Sequence, residues 1–455
     1  MLKISEHFEY YEKGDHFNKF KEVIQWEEHY KSSEFKDELF FLGNEKRKCV
    51  SISLKKSESG NEPHFCEINS SYYIGLDRFT NLDLTVYVGP KLNKGILKVD
   101  YIKMLLEALK EPENFNHLEG LIETKFDDEW IEIDSNLQPL LTPFLLAQFL
   151  AVVKRIVKKG LKLAYYTKTE NLSNRIKGKI LVGEQVKRNI VKNRVLNTVC
   201  QFQEFGVDTE VNQFLKFVLS QVGVHLDEFL NSLDIYKNLM EHLNYCKGGF
   251  QQVKHKSFSK SNYKESNPFF KDYNLAIKLG NQILSIKDYN ISKSIQKGTI
   301  KHPPFWIDMS KLFELYVFKK LKDRFPIEGN VKYHEEHSGQ ELDFIINTEN
   351  IKAVVDAKYK PRYKSGNPLL DDARQLAGYT RLNSVYKELS IDNDVIIPTY
   401  FIYPSNLKNI SDKDETYNNF KVVDRLVNER SILETSFRES TTYRKMYLQE
   451  VELPV

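Results

Sequence analysis

A multidomain chain of the α+β and α/β classes is what this sequence should build, and three observations say so. Its 455 residues exceed what one hydrophobic core covers, so two or three domains are expected. Short runs of alternating polarity, such as LDLTVYVG at 82–89, stand beside a long apolar stripe of helical period at 143–159. From residue 308 onward the order of elements is helix, strand, strand, helix. With 41% hydrophobic and 28% charged residues, the composition is that of a folded protein rather than a disordered one.

Three regions follow, without internal repeats. Residues 1–135 mix amphipathic and alternating segments and are expected to form an N-terminal α+β region. Residues 136–300 read as mainly helical and basic, with a polar linker near 250–300. Thr142 and Pro143 supply an N-cap and a first-turn proline, an apolar run follows, and Gly160 supplies the stop. DTEVNQFLKFVLSQV at 208–222 reads as a second helix, capped by Asp208 or Thr209. KSFSKSNYKESNP at 256–268 has the composition of a mobile loop. Residues 301–455 form the third region.

In that region DMSKLFELYVFKKLKDRF at 308–325 places Glu314 on one helix face with Val317, Phe318 and Leu321. ELDFII at 341–346 alternates, with Glu341, Asp343 and Ile345 on one side. A short polar turn leads to AVVDAKYK at 353–360, so the pair reads as a β-hairpin. Asp343 and Asp356 then converge at one end, and Lys358 follows on the same face. PLLDDARQLAGYTRLNSVY at 368–386 reads as one amphipathic helix with Gln375 and Tyr379 as i, i+4 neighbours.

Two carboxylates a few ångströms apart suit a hard divalent cation such as Mg²⁺, which binds phosphate oxygens and acidifies a bound water. Lys358 beside them suits orientation of that water or stabilisation of transition-state charge. Glu314 is a candidate to complete the site, and Gln375 and Tyr379 to position its groups. Plainer roles compete. Asp356 and Lys358 form an edge-strand ion pair in one reading, and Glu314 favours its helix's positive end by about 0.3–1 kcal/mol in another. Gln375 and Tyr379 also suit ordinary helix packing. His334 and His337, in YHEEHSG, are expected as exposed loop histidines, and Asp371 and Asp372 as an N-cap cluster.

Charge is unevenly spread. The net charge is only +3, but Ala151–Cys200 holds thirteen Lys or Arg against Glu170 and Glu184. Glu111–Leu140 shows the reverse, with nine acids against Lys125. The basic block, including Arg175, Lys177, Lys179, Lys187 and Arg188, suits a nucleic-acid backbone, whereas solvated helix faces are the plainer reading. Cys49, Cys66, Cys200 and Cys246 are too scattered for a zinc site or disulfide framework. The longest mainly apolar run, Leu146–Val153 with Gln148 inside it, is far short of the roughly 20 residues a bilayer needs, and the N-terminus lacks a signal-peptide core. The chain is therefore expected to stay in the cytoplasm, off the membrane.

Taken together, Glu314, Asp343, Asp356-Ala357-Lys358 and Gln375-x-x-x-Tyr379 resemble the PD-(D/E)XK nuclease superfamily. Within it the chain resembles the McrC family, the nuclease subunit of the McrBC 5-methylcytosine-specific restriction system. The likeness extends upstream to Arg175, Lys177, Gly178 and Lys179, to Glu204, Phe205, Asp208, Thr209, Asn212 and Leu215, and to TVYVGPKL at 85–92. Leu342 stands where the superfamily's motif has proline. The resemblance implies a C-terminal domain with a central mixed sheet flanked by helices. It also implies a Mg²⁺-dependent DNA endonuclease working with a McrB-like AAA+ GTPase on double-stranded DNA carrying modified cytosine. This chain has no G-x-x-x-x-G-K-[ST] loop, so GTP would be bound by the partner. Residues 1–80 match no family motif and are the expected docking surface. A non-cleaving adaptor that stimulates a partner NTPase and a stand-alone structure-specific nuclease are the alternatives.

Overall fold

Alternation builds the N-terminal sheets. The computed structural model describes residues 1–6, 8–13, 38–44, 47–56, 63–80, 83–90, 99–125, 129–134, 142–229, 236–293, 299–359, 369–404, 420–422, 432–433, 437–440 and 442–454. Strands β1 (Leu2–Ser5), β2 (Glu9–Lys13), β3 (Glu38–Asn44), β4 (Arg47–Lys56), β5 (Pro63–Ser70), β6 (Tyr73–Phe79) and β7 (Leu84–Gly89) come first. β2, β5, β4 and β3 form an antiparallel sheet in that order. In β7, Leu84, Val86 and Val88 point inward while Thr85 and Tyr87 are half-buried, the period-two pattern made physical. Lys91 and Leu92 of the TVYVGPKL motif lie outside the described residues. Helix α1 (Tyr101–Ala108) starts at Asp100, whose carboxylate accepts from the Lys103 N–H at 2.9 Å. β8 (Ile122–Thr124) and β9 (Ile131–Asp134) complete this stretch.

A separate compact unit spans Leu141–Gln296. Helix α2 (Thr142–Lys159) is followed by β10 (Ala164–Ser173), β11 (Lys179–Ile180), β12 (Asn197–Gly206), α3 (Glu210–Phe229), α4 (Tyr236–Gly249) and α5 (Asp272–Lys293). Thr142 is the first helical residue of α2 rather than its cap. Phe144, Leu145, Phe149 and Leu150 are each at most 1% exposed, burial that contributes about 1.5–3 kcal/mol apiece. Thr209 caps α3, its hydroxyl accepting from the Asn212 N–H at 3.4 Å. Asn212 ties the unit together: its amide donates to the carbonyls of Lys162 and Val207 and accepts from the Tyr273 hydroxyl.

Two expectations for this unit need correction. The basic block is only partly helical: after residue 160 it runs through the antiparallel sheet β10-β12-β11, and a short helical stretch over Val182–Ile190 then carries Lys187 and Arg188. Val199, Cys200 and Phe202 are apolar on a strand whose β-branched and aromatic content outweighs its charge. Gly178 makes β11 possible: its φ is +71°, and a Cβ there would lie 2.4 Å from the Gln201 carbonyl oxygen. The 256–268 segment is not a free linker either. The Asn281 side chain of α5 bonds the Ser261 backbone, the Asn274 side chain accepts from the Glu265 N–H and donates to the Glu265 carbonyl, and Lys162 pairs with Glu265. Polar composition here serves side-chain bonding to α5, which composition alone does not distinguish from solvation.

The chain then returns to the first unit, which joins Met1–Leu140 to Lys297–Val455. β13 (Thr299–His302) pairs with β9, and β14 (Phe305–Asp308) lies between β6 and β8, giving a five-stranded sheet β1-β7-β6-β14-β8. Trp306 donates to buried Asp77 at 2.9 Å and packs with Val50, Ile52, Ile68, Val86 and Val88. The N-terminal and C-terminal regions, read as separate in the sequence, thus share one sheet and one compact unit.

Helix α6 (Met309–Arg324), β15 (Val331–His337), β16 (Gln340–Asn347), β17 (Lys352–Ala357), α7 (Leu369–Tyr379), α8 (Asn383–Leu389), β18 (Thr399–Pro404), β19 (Phe420–Val422), β20 (Phe437–Ser440) and β21 (Met446–Val451) follow. The mixed sheet runs β15-β16-β17-β18-β21-β20-β19, with parallel pairs only at β17–β18 and β18–β21. Phe318 of α6 stacks on Tyr333 and Phe344, while Leu376, Val385 and Leu389 of α7 and α8 pack with Ile345, Val354 and Phe401. The single helix expected at 368–386 is two, because the backbone turns at Thr380–Leu382, and Pro368 lies outside the described residues. Leu382 extends and packs on the core, a tertiary contact that overrides the local period.

Candidate active site

The hairpin sets the geometry. β16 pairs with β17 antiparallel, Phe344 opposite Val355 and Ile346 opposite Ala353, joined by a turn in which the Thr348 hydroxyl and Ile351 bond each other. Continuing that register by one step puts Asp343 opposite Asp356. The Asp343 carboxylate accepts from the Ala357 N–H at 2.8 Å, and Lys358 Nζ lies 3.0 Å from Asp356 Oδ2. Lys358 also reaches Gln375 Oε1 at 3.4 Å, and Gln375 donates to the Tyr379 hydroxyl at 2.7 Å. Asp343, Asp356, Lys358, Gln375 and Tyr379 are therefore neighbours across β16, β17 and α7.

Glu314 enters from α6. Its Oε2 accepts from the Tyr333 hydroxyl at 3.1 Å and faces His334 Nε2 at 3.0 Å. His334 and His337 are not exposed loop histidines. His337 is 7% exposed in β15, and His334 lies between Glu314 and Glu341, with Nδ1 2.7 Å from Glu341 Oε1. A charge-rich YHEEHSG stretch reads as a loop by composition, but its Val331, Tyr333 and His337 face inward at strand spacing. Asp371 and Asp372 also differ from expectation: both lie in the first turn of α7 rather than at its cap. Asp371 is exposed, whereas Asp372 is 8% exposed and near enough to Asp356 to disfavour its ionised form.

Electrostatics mark this cluster as costly without a cation. Burial raises the Asp343 carboxyl well above its usual range, and Asp356 and Glu314 push it the same way; the Ala357 N–H and Lys358 only partly oppose them. Asp356 is raised chiefly by burial, against the pull of Lys358. Burial alone would lower the Lys358 ammonium, but Asp356 and Asp343 hold it above its ordinary value. Asp356 Oδ2, in a residue 3% exposed, has the Lys358 ammonium close by as an ion pair but no donor aligned for a hydrogen bond. Two opposed, desolvated carboxylates with a spare oxygen fit a hard divalent cation, whose remaining positions are filled by water and phosphate oxygens. Among the described residues no three His, Cys, Asp or Glu side chains form a ready ligand cluster, so the fit is to a two-carboxylate site.

The predicted nucleic-acid contacts lie elsewhere. Arg175, Lys177, Lys179, Lys187 and Arg188 are all exposed in the Leu141–Gln296 unit. Lys177 lies over the Phe202 ring at 4.2 Å, and Arg188 pairs with Glu184 at 2.6 Å. Around them Ile176, Val182, Ile190, Val191, Val195 and Leu196 are exposed apolar residues that charge counting alone does not find. No helix among the described residues is long and apolar enough to cross a membrane.

A family model described as a McrBC 5-methylcytosine restriction system component matches residues 68–388. No curated protein matches the chain. Among solved structures, one similar chain belongs to a refined half-complex from a tetradecameric assembly of Thermococcus gammatolerans McrB AAA+ hexamers with bound McrC. It is 15% identical, covering 100% of this chain and 94% of that chain at a TM-score of 0.36. A second, from a cryo-EM structure of the Thermococcus gammatolerans McrBC complex, is 14% identical, covering 71% of this chain and 88% of that chain at a TM-score of 0.27.

Proposed function

We infer the function from one premise: this chain belongs to the family of McrBC 5-methylcytosine restriction system components. Within that system it is the nuclease subunit, its C-terminal region a PD-(D/E)XK-type domain that hydrolyses DNA phosphodiesters with Mg²⁺. The observation that carries this reading is the opposition of Asp343 and Asp356 with Lys358 3.0 Å from the latter. Two carboxylates forced together at such electrostatic cost are hard to explain as packing, because apolar residues would serve there better.

Asp343 and Asp356 are the residues that would hold Mg²⁺. When bound, the ion supplies charge neutralisation at a phosphate oxygen and a more acidic water. Lys358, kept protonated by its two carboxylate neighbours, donates to the attacking water or to the phosphoryl oxygens as negative charge grows. Gln375 accepts from Lys358 and is itself anchored on Tyr379, which limits the ammonium's swing. Glu314 borders the carboxylate pair and completes its acidic wall. Arg175, Lys177, Lys179, Lys187 and Arg188 contact the DNA backbone, with no reading of sequence. Nucleotide hydrolysis and recognition of modified cytosine fall to an AAA+ GTPase partner, since this chain has no phosphate loop. Its docking surface is within residues 1–80.

The test is cleavage of methylated plasmid by the complex assembled with its AAA+ partner, GTP and Mg²⁺. Asp356→Asn and Lys358→Ala should each lower the rate by about 1000-fold or more, with the fold and assembly with the partner retained. Cleavage at the wild-type rate overturns the assignment, and collapse of the fold returns the pair to a structural ion pair. Rapid cutting of unmodified DNA by this chain alone would favour a stand-alone nuclease.

A further inference from the structure

We propose that His334 is a positioning residue of the nuclease site, holding the Glu314 carboxylate toward Asp343 and Asp356. The inference rests on the nuclease reading and deepens it. Three strands supply its first support. β15 pairs with β16 so that Tyr333 faces Phe344 and Glu335 faces Leu342. The position between them sets His334 opposite Asp343, just as the next pairing sets Asp343 opposite Asp356. The positions of His334, Asp343 and Asp356 thus form a row across three adjacent strands.

The backbone supplies the second. His334 has φ +54°, and the ladder pairs on either side of it do not include it. A left-handed residue that is not glycine is uncommon and persists where its surroundings demand it. Here the demand is visible at the ring. Both imidazole nitrogens face carboxylates, Nε2 toward Glu314 at 3.0 Å and Nδ1 toward Glu341 at 2.7 Å. The Tyr333 hydroxyl donates to the same Glu314 oxygen at 3.1 Å, so two side chains from one strand fix the rotation of that carboxylate. The His334 ring is itself packed against Tyr333, with centroids 4.0 Å apart, and lies 6.3 Å from the His117 ring.

Glu314 is tied to the carboxylate pair through His334, which contacts it at 3.0 Å and occupies the strand position opposite Asp343. Its orientation therefore sets part of the field that a cation at Asp343 and Asp356 experiences. Residues that orient a metal site's carboxylates typically change metal affinity 10- to 100-fold when removed.

His334→Asn is the informative variant. Asparagine tolerates a left-handed backbone, but its amide is too short to replace the imidazole between two carboxylates. Mn²⁺ binding to the full-length chain, followed by titration calorimetry or electron paramagnetic resonance, should weaken by roughly 10-fold. In the assembled complex kcat should fall while KM for DNA holds, and the melting temperature should move little. Glu314→Gln should give a similar loss, and the double variant His334→Asn/Glu314→Gln no further loss, because the histidine acts through the glutamate. Wild-type Mn²⁺ affinity and kcat in His334→Asn overturn the proposal, as do additive losses in the double variant. Failure of His334→Asn to fold also overturns it, assigning the residue to the backbone alone. If the wild-type chain binds no Mn²⁺, or Asp356→Asn binds it equally well, the nuclease reading itself fails.

Discussion

Two groups of charge in this protein are handled in opposite ways. Around Asp343 and Asp356 the charges are few, desolvated and in mutual contact; Asp356 is 3% exposed and Lys358 bridges it to Gln375. On the surface of the Leu141–Gln296 unit, around β11 and the helical stretch after it, they are many and exposed, and Arg175, Lys177, Lys179, Lys187 and Arg188 meet solvent. A buried carboxylate is committed to its neighbours, since separating it from them costs several kcal/mol. An exposed lysine has no such commitment and acts through number, by releasing counterions when a polyanion arrives. One region is therefore recognisable by position and the other by sum.

The comparison breaks most readily at the basic sheet. Replacing Lys177, Lys179, Lys187 and Arg188 together by alanine should weaken duplex DNA binding by up to about 1000-fold at low salt and lower the salt-dependence slope by about 3 to 4. Fluorescence titration of the full chain at several salt concentrations measures both. Binding and slope that stay at wild-type values would remove this surface from the DNA path and leave its exposed apolar neighbours to another partner.

Much of the buried cluster was legible in the sequence because its signals are local. Period-two alternation and a short polar turn suffice to bring Asp343 and Asp356 together, and helical spacing brings Gln375 to Tyr379. The parts that escaped reading depend on distant residues. Asp372 comes near Asp356 because α7 packs on β17, and His334 is left-handed with its ring between Glu314 and Glu341, neither of which a local pattern specifies. β14 joins β6 across more than 200 residues, a pairing with no local trace, so the N-terminal and C-terminal regions read as separate. The 256–268 segment shows the same limit: Asn274 and Asn281 of α5 bond its backbone at Glu265 and Ser261, which the segment's own composition does not specify.

Acidity sharpens the comparison at the buried end. Asp343 has its folded pKa raised, so its ionised form destabilises the metal-free fold; that cost is full above the raised value and vanishes as pH falls to the ordinary carboxylate range. Asp343→Asn should therefore raise the melting temperature of the metal-free chain by about 2 °C or more at neutral pH. The difference should shrink steadily on acidification toward about pH 4. Mg²⁺ at neutral pH should stabilise the wild type and leave the variant unmoved. A lower melting temperature for metal-free Asp343→Asn would mean that the carboxylate is a structural acceptor for the Ala357 N–H and little else.

The smallest effect lies at the exposed end, where one ion pair can be removed cleanly. Glu184 and Arg188 are i, i+4 neighbours with side chains 39% and 57% exposed, separated by 2.6 Å. Such a pair contributes no more than about 0.5 kcal/mol, because solvent screens it and both side chains lose freedom in forming it. Glu184→Gln should leave the melting temperature within about 1 °C of the wild type. It should also release Arg188 from its carboxylate and reduce local negative charge, tightening DNA binding by up to about 2-fold at low salt and not at high salt. The sign carries the argument: the carboxylate here competes with phosphate for the same guanidinium, whereas Asp356 holds Lys358 protonated for use. Weaker DNA binding in Glu184→Gln would mean that the pair preorganises Arg188, and exposed charges on this surface would then share the positional logic of the buried site.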